Sequence, residues 1–335
     1  MAQAHIDRSD IPGSHAANTQ DFTAKRGWFA EPTIQPGWAI PEDVVIKVAV
    51  SGRSAIGQEG RLARGHFPMT IEAYQEATRR SLKAGAAGVH VDLGNIFDSD
   101  GNPLDATRST YEVYREILDP LRDEFGDSFV VDLNVLRGEN FMANVKPVIE
   151  GLADMAPVCP GYNRTWSTEA VKVLQENGCK PEIVIHGPGE IGLAKERLID
   201  TGILEKPYYY IVLIGNAVDS GLSPFSYSWL PNMGDTCRQL LLIVEQLRAI
   251  DPDSVIMVCS AGRASTYLTT LSLMLGCHIR VGTEDTVWKY PHRDDLLESN
   301  EAAVTAAVEM AAALGRTARG ADVYRQLTGI TARDQ

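Results

Sequence analysis

Residues 70–93, TIEAYQEATRRSLKAGAAGVHVDL, decide how the chain is read. Thr70 is a natural N-cap, because its hydroxyl can accept from an otherwise unpaired amide of the first turn. Ile71, Tyr74 and Ala77 fall on one face of the helix that follows, and Gly85 supplies its stop. The next run, AGVHVDL, is a short strand that is apolar almost throughout. A strand with apolar residues on both sides needs cover on both faces, which is the situation of a parallel sheet wrapped by helices.

The same unit recurs outward in both directions. VVIKVAV at 44–50 precedes it, and SFVVDLNV, DMAPVC, PEIVIH, YYYIVLI, SVIMVCS and HIRVG follow, each separated by a helical segment. The last helix of the series is NEAAVTAAVEMAAALG. Eight strand–helix units within residues 44–330 predict a single (β/α)8 barrel, with residues 1–43 as an N-terminal extension. A doubly wound open sheet is the alternative. It would carry a glycine fingerprint after its first strand, and SGRSAIGQEG lacks that spacing.

Composition narrows the function classes. A net charge of −13 argues against a general nucleic-acid binder, which needs clustered Lys and Arg. No run approaches the roughly 20 apolar residues of a membrane span. Residues 1–22 have no hydrophobic signal-peptide core. The five cysteines form no CxxC pair, so they read as reduced thiols of a cytoplasmic protein.

A barrel of this type does its chemistry at the C-terminal ends of its strands. Those ends carry Ser51, Arg53 and Ser54; His90, Asp92 and Asn95; Asp132, Asn134 and Arg137; Tyr162 and Asn163; His186; Asn216 and Asp219; Ser260 and Arg263; and Arg280, Glu284 and Asp285. His90 and Asp92 stand two apart, so a strand turns both to one side. With Glu284 they make one imidazole and two carboxylates, a set suited to Zn, Mn or Fe. The alternative is a His90–Asp92 hydrogen-bonded pair. Arg280 offers a planar fork for a carboxylate, and Asp285 could act as a base. The competing reading of Arg280 is a structural ion pair with the first or seventh strand. CSAGRAS and LIGNAVDSGLSP are small-residue loops fit to contact a substrate.

These segments resemble the β-keto acid cleavage enzymes. The likeness runs through FPMTIEAYQEATRRSLKAGAAGVHVDLGNIFDSDGNP, KPEIVIH, LIGN, AGR and SNEAAVTAAVEMAAALGR, and is most specific in HIRVGTED. It implies a (β/α)8 barrel, usually a homotetramer, that holds a divalent metal, generally zinc, through an HxH pair and a glutamate. It also implies acyl transfer from a β-keto acid to acetyl-CoA, giving acetoacetate and a new CoA thioester. On this chain His90 and Glu284 match two metal ligands, Arg280 the positioning arginine and Asp285 the base. Ser51, Ser54, Asn134, Asn216 and Arg263 fall where substrate contacts are expected.

Two positions depart from the family pattern. Asp92 stands where the second histidine belongs, and Ser54 where an acidic residue is common. A carboxylate at 92 lowers Lewis acidity and favours a harder metal such as Mn. Two alternatives follow: a CoA-independent retro-aldol or retro-Claisen lyase or hydrolase, and a non-catalytic binding protein on the same barrel.

Overall fold

The computed structural model describes residues 37–51, 68–93, 96, 104, 108–135, 144–215 and 232–331. The chain divides into two units, Met1–Ile40 and Pro41–Gln335. The barrel lies in the second.

The strands are β1 (Asp43–Ala49), β2 (Gly88–Val91), β3 (Val130–Leu133), β4 (Met155–Val158), β5 (Lys180–Ile185), β6 (Tyr209–Ile214), β7 (Val255–Ser260) and β8 (His278–Val281). Each pairs in parallel with the next, and β1 pairs with both β2 and β8. The sheet is therefore a closed eight-stranded barrel, as the strand–helix rhythm predicts. Its strands are buried almost throughout because helices cover them outside and side chains fill them inside.

The helices between strands are α1 (Ile71–Lys83), α2 (Thr110–Phe125), α3 (Lys146–Ile149), α4 (Arg164–Glu176), α5 (Pro188–Ala194), α6 (Met233–Ile250) and α7 (Ser265–Met274). After β8 comes α8 (Asn300–Ala313). Thr70 caps α1 as expected, accepting from Ala73 N at 3.2 Å. Ser109, Asn163, Asn232 and Ser299 cap α2, α4, α6 and α8 in the same way. The helical segment expected between β3 and β4 includes the short helix α3 among its described residues.

Two elements were not expected. β9 (Thr317–Arg319) pairs in parallel with the start of β1, Asp43 opposite Thr317 and Val45 opposite Arg319. The helix α9 (Ala321–Thr328) then carries Tyr324 beneath the barrel, against Val45, Ala87, Val130, Met155, Tyr209 and Met257. The hydroxyls of Tyr324 and Tyr209 lie 2.6 Å apart. This plug closes the N-terminal end of the barrel, so the opposite end is the one left for chemistry. Among the described residues no helix is long and apolar enough to cross a membrane, and Cys237, Cys259 and Cys277 are free thiols.

Candidate active site

The turn after β8 is built by close approach. Gly282 has φ +141°, and a Cβ there would stand 2.2 Å from the carbonyl oxygen of Ala49. Only glycine lets β8 run this close to β1. Thr283 fixes the turn from both sides. Its amide donates to Asn300 Oδ1 at 2.9 Å, and its hydroxyl donates to the carbonyl oxygen of Ser51 at 3.2 Å. The amide of Glu284 then donates to Ala49 O at 3.2 Å. The motif RVGTED thus hangs Glu284 and Asp285 over the ends of β1 and β8.

His90 sits at the centre of the resulting cluster. Its Nδ1 lies 2.8 Å from Asp132 Oδ2 and its Nε2 lies 3.3 Å from Glu284 Oε1. Arg280 grips the next two acids. Its Nη2 reaches Glu284 Oε1 at 3.0 Å and Asp285 Oδ1 at 2.6 Å, and its Nε reaches Asp285 Oδ2 at 3.1 Å. Asn134 donates from Nδ2 to Asp92 Oδ2 at 3.1 Å. Below this layer, Lys47 Nζ lies 2.5 Å from Asp132 Oδ2 and also bonds Glu182.

The electrostatics follow from burial and charge together. Burial pulls the His90 imidazolium down, but Asp132 and Glu284 outweigh it and hold its pKa up to about 10. Burial also works against the Lys47 ammonium, yet Asp132 and Glu182 keep it well above the ordinary lysine range. Burial would raise Asp132, but His90 and Lys47 bring it well below the usual carboxylate range. Glu182 is pushed up by burial and by the neighbouring Asp132 charge.

The structure brings together His90, Asp92, Asn134, Arg280, Glu284 and Asp285. Ser51 joins through its carbonyl oxygen. Arg263 does not bond the cluster. Its guanidinium stacks over Trp288 at 3.8 Å and pairs with Asp294 at 2.5 Å. Ser54 and Asn216 lie outside the described residues, as do Arg53, Asn95, Arg137 and Asp219. The imidazole of His90 pairs with Asp132 on β3 rather than with Asp92, and Arg280 pairs within its own turn rather than with β1 or β7. Lys47 and Glu182 were not singled out from sequence. Each is a charge inside the apolar run of its strand and two or four residues before a rim position, so side-chain alternation places it in the barrel interior.

Two sets of side chains could hold a divalent metal. His90, Asp92 and Glu284 offer ligand atoms within 4.8 Å of one another, and so do His90, Asp132 and Glu182. The donor chemistry fits. Among the described residues, the carboxylates of Asp92, Asp132, Glu182, Glu284 and Asp285 gather around His90, Lys47 and Arg280. A largely buried, carboxylate-rich set with an imidazole suits a divalent cation.

The sequence profile of the β-keto acid cleavage enzymes matches residues 43–330. A 3-keto-5-aminohexanoate cleavage enzyme of Fusobacterium nucleatum subsp. nucleatum is 24% identical over 304 residues, covering 86% of this chain and 98% of the relative. Its counterpart in Acetoanaerobium sticklandii is 23% identical over 301 residues, covering 87% and 99%. Among solved structures, apo ObcA superposes with a TM-score of 0.61 at 19% identity, over 79% of this chain and 66% of ObcA; that likeness shows the fold. With the family profile running from the first barrel strand to the last helix, the chain is an enzyme and belongs to the β-keto acid cleavage enzyme family.

Proposed function

We propose that this enzyme exchanges acyl groups between a β-keto acid and acetyl-CoA. The acyl group of the keto acid leaves the carbon next to the carboxylate and ends on the CoA sulfur. The acetyl group takes its place on that carbon, giving acetoacetate. The single observation that carries the reading is the convergence of His90, Asp92 and Glu284 within 4.8 Å, with Arg280 and Asp285 beside them.

In this reading His90 Nε2, Asp92 and Glu284 hold a divalent metal, zinc or, given two carboxylates, Mn or Fe. A metal there supplies Lewis-acid stabilisation of the keto acid's oxygens. Asp132 holds His90 by Nδ1, leaving Nε2 for the metal side. Asn134 orients Asp92. Arg280 fixes the direction of the Asp285 carboxylate with a two-point grip, and Asp285 takes the proton from the carbon between ketone and carboxylate. Ser51, Ser54, Asn134, Asn216 and Arg263 are the proposed substrate contacts, Arg263 acting through the Trp288–Asp294 segment it anchors. The resemblance extends the proposal to a cytoplasmic homotetramer whose catalytic domain is residues 44–330.

The test is a panel of β-keto acids incubated with acetyl-CoA, with and without a chelator, read by mass spectrometry. Acetoacetate and a matching acyl-CoA should form together and be lost with chelator. Cleavage without any acyl-CoA product would favour the CoA-independent lyase that Asp92 leaves open.

A further inference from the structure

The barrel interior holds two adjoining carboxylate–imidazole groups that share one histidine. The upper one is His90, Asp92 and Glu284, and the lower one is His90, Asp132 and Glu182. Among the described residues, the lower one has an amine in it. Lys47 is fully buried, and its Nζ lies 2.5 Å from Asp132 Oδ2, in contact with Glu182, and 3.8 Å from Met155 Sδ.

We propose that Lys47 is a built-in cation that fills the lower group, so that the barrel takes one divalent ion and takes it in the upper group. This rests on the metal reading of the upper group given above.

The lower group is otherwise competent for a metal. Asp132 Oδ1 and Glu182 Oε2 are buried and have no hydrogen-bond partner among the described residues. Each carboxylate therefore keeps a spare donor atom in the buried interior. Carboxylate oxygens bind a transition metal at about 2.0–2.2 Å. An ion bridging Asp132 and Glu182 would thus stand close to where Nζ stands. Lys47 and a lower metal exclude each other by overlap and by like charge. A lysine is also tethered, so it neutralises these acids whether or not metal is available.

The arrangement has a consequence for His90. With Lys47 and Asp132 joined, the Nδ1 edge of His90 is committed to Asp132. The Nε2 edge is the one presented to Glu284. Lys47 is then a positioning residue that acts on the upper group through Asp132.

The test uses the full chain, stripped of metal and titrated with Mn2+. Bound ion per chain is measured by elemental analysis, and electron paramagnetic resonance reports whether two ions lie side by side. The unmodified chain should bind one ion, and D92N should bind none. K47A should bind two, with the spin-coupled signal of a close pair. E182Q, which keeps Lys47 and Asp132 together, should still bind one. A folded K47A with no more ions than the unmodified chain would overturn the proposal. So would loss of the ion in E182Q, or two ions in the unmodified chain; the E182Q result decides even where K47A does not fold. No ion in the unmodified chain but one in K47A would overturn the upper-site reading and leave the role of Lys47 standing.

Discussion

Nδ1 of His90 and Oδ2 of Asp132 stand 2.8 Å apart, on residues that face each other in register across β2 and β3. The strand pairing itself sets this contact, so the imidazole has one orientation before any ligand arrives. Carboxylates that hold a metal-binding histidine in this way are worth about 10–100-fold in metal affinity. D132N should therefore weaken Mn2+ or Zn2+ binding by about that factor. Competition against a chromogenic chelator measures it, and circular dichroism checks that the barrel persists. Unchanged affinity would show that Asp132 does not orient the imidazole.

Arg280 meets Asp285 through two nitrogens, at 2.6 and 3.1 Å, and Glu284 through one, at 3.0 Å. A lysine keeps the charge but cannot form this planar fork. R280K should lower kcat for β-keto acid cleavage by about 10²-fold, the scale of losing one aimed polar group in an active site. Its melting temperature should move little, because a cation remains. R280M should also unfold more readily, by about 3–5 kcal/mol, since Glu284 and Asp285 are then left buried without it. Steady-state kinetics and denaturant titration of the two variants separate these effects.

Much of this arrangement is legible from residue order alone. Thr70 and Gly85 bracket a helix, the apolar runs mark eight strands, and alternation puts His90 and Asp92 on one side. The pairing of His90 with Asp132 is not legible in that way, because it depends on the register between two strands 42 residues apart. Lys47 and Glu182 are not legible as site residues because each interrupts an apolar run that reads as core. Their parity with Ala49 and His186 was the available signal, since inward positions recur every two residues. β9 is three residues long and mostly exposed, too short to show a period, and without it α9 has no evident place. Its role as a plug becomes visible only once the barrel has an open lower end.

Gly282 gives a test of the turn that carries Glu284. An alanine there would set its Cβ 2.2 Å from a backbone oxygen of Ala49, at φ +141°. Neither the carbonyl nor the strand can give way without parting β8 from β1. G282A should cost about 3 kcal/mol or more and abolish metal binding with the fold weakened. G315A is the control: φ is +73° and nothing lies within 4 Å of its added Cβ. It should cost only about 1 kcal/mol, the backbone share alone. Equal losses in the two variants, by urea denaturation, would show that close approach at Gly282 does not govern the turn.

His278 gives the acid side of stability. Its Nδ1 accepts the Val45 amide at 3.0 Å, so the folded chain needs it neutral there. Burial, reinforced by the Arg316 guanidinium, lowers its pKa to about 4. In the unfolded chain a histidine takes its proton near 6.5. Between these values the unfolded state binds the extra proton, so stability rises with pH in that window. As pH falls from about 6.5 to about 4, the folded state should lose up to roughly 3 kcal/mol from this group. Asp132, with a folded pKa below its unfolded one, contributes its loss only at more acidic pH. His90, whose folded pKa is raised, loses its contribution only as pH climbs from about 6.5 through about 10. Glu182, whose folded pKa is also raised, acts in this window with the opposite sign in both chains, so the difference between the unmodified chain and H278N is what reports on His278. H278N keeps an acceptor near the Nδ1 position and has no proton to gain. Urea midpoints measured from pH 7 to pH 4.5 should fall steeply for the unmodified chain and only slightly for H278N. Parallel slopes for the two would mean that another group carries the acid sensitivity.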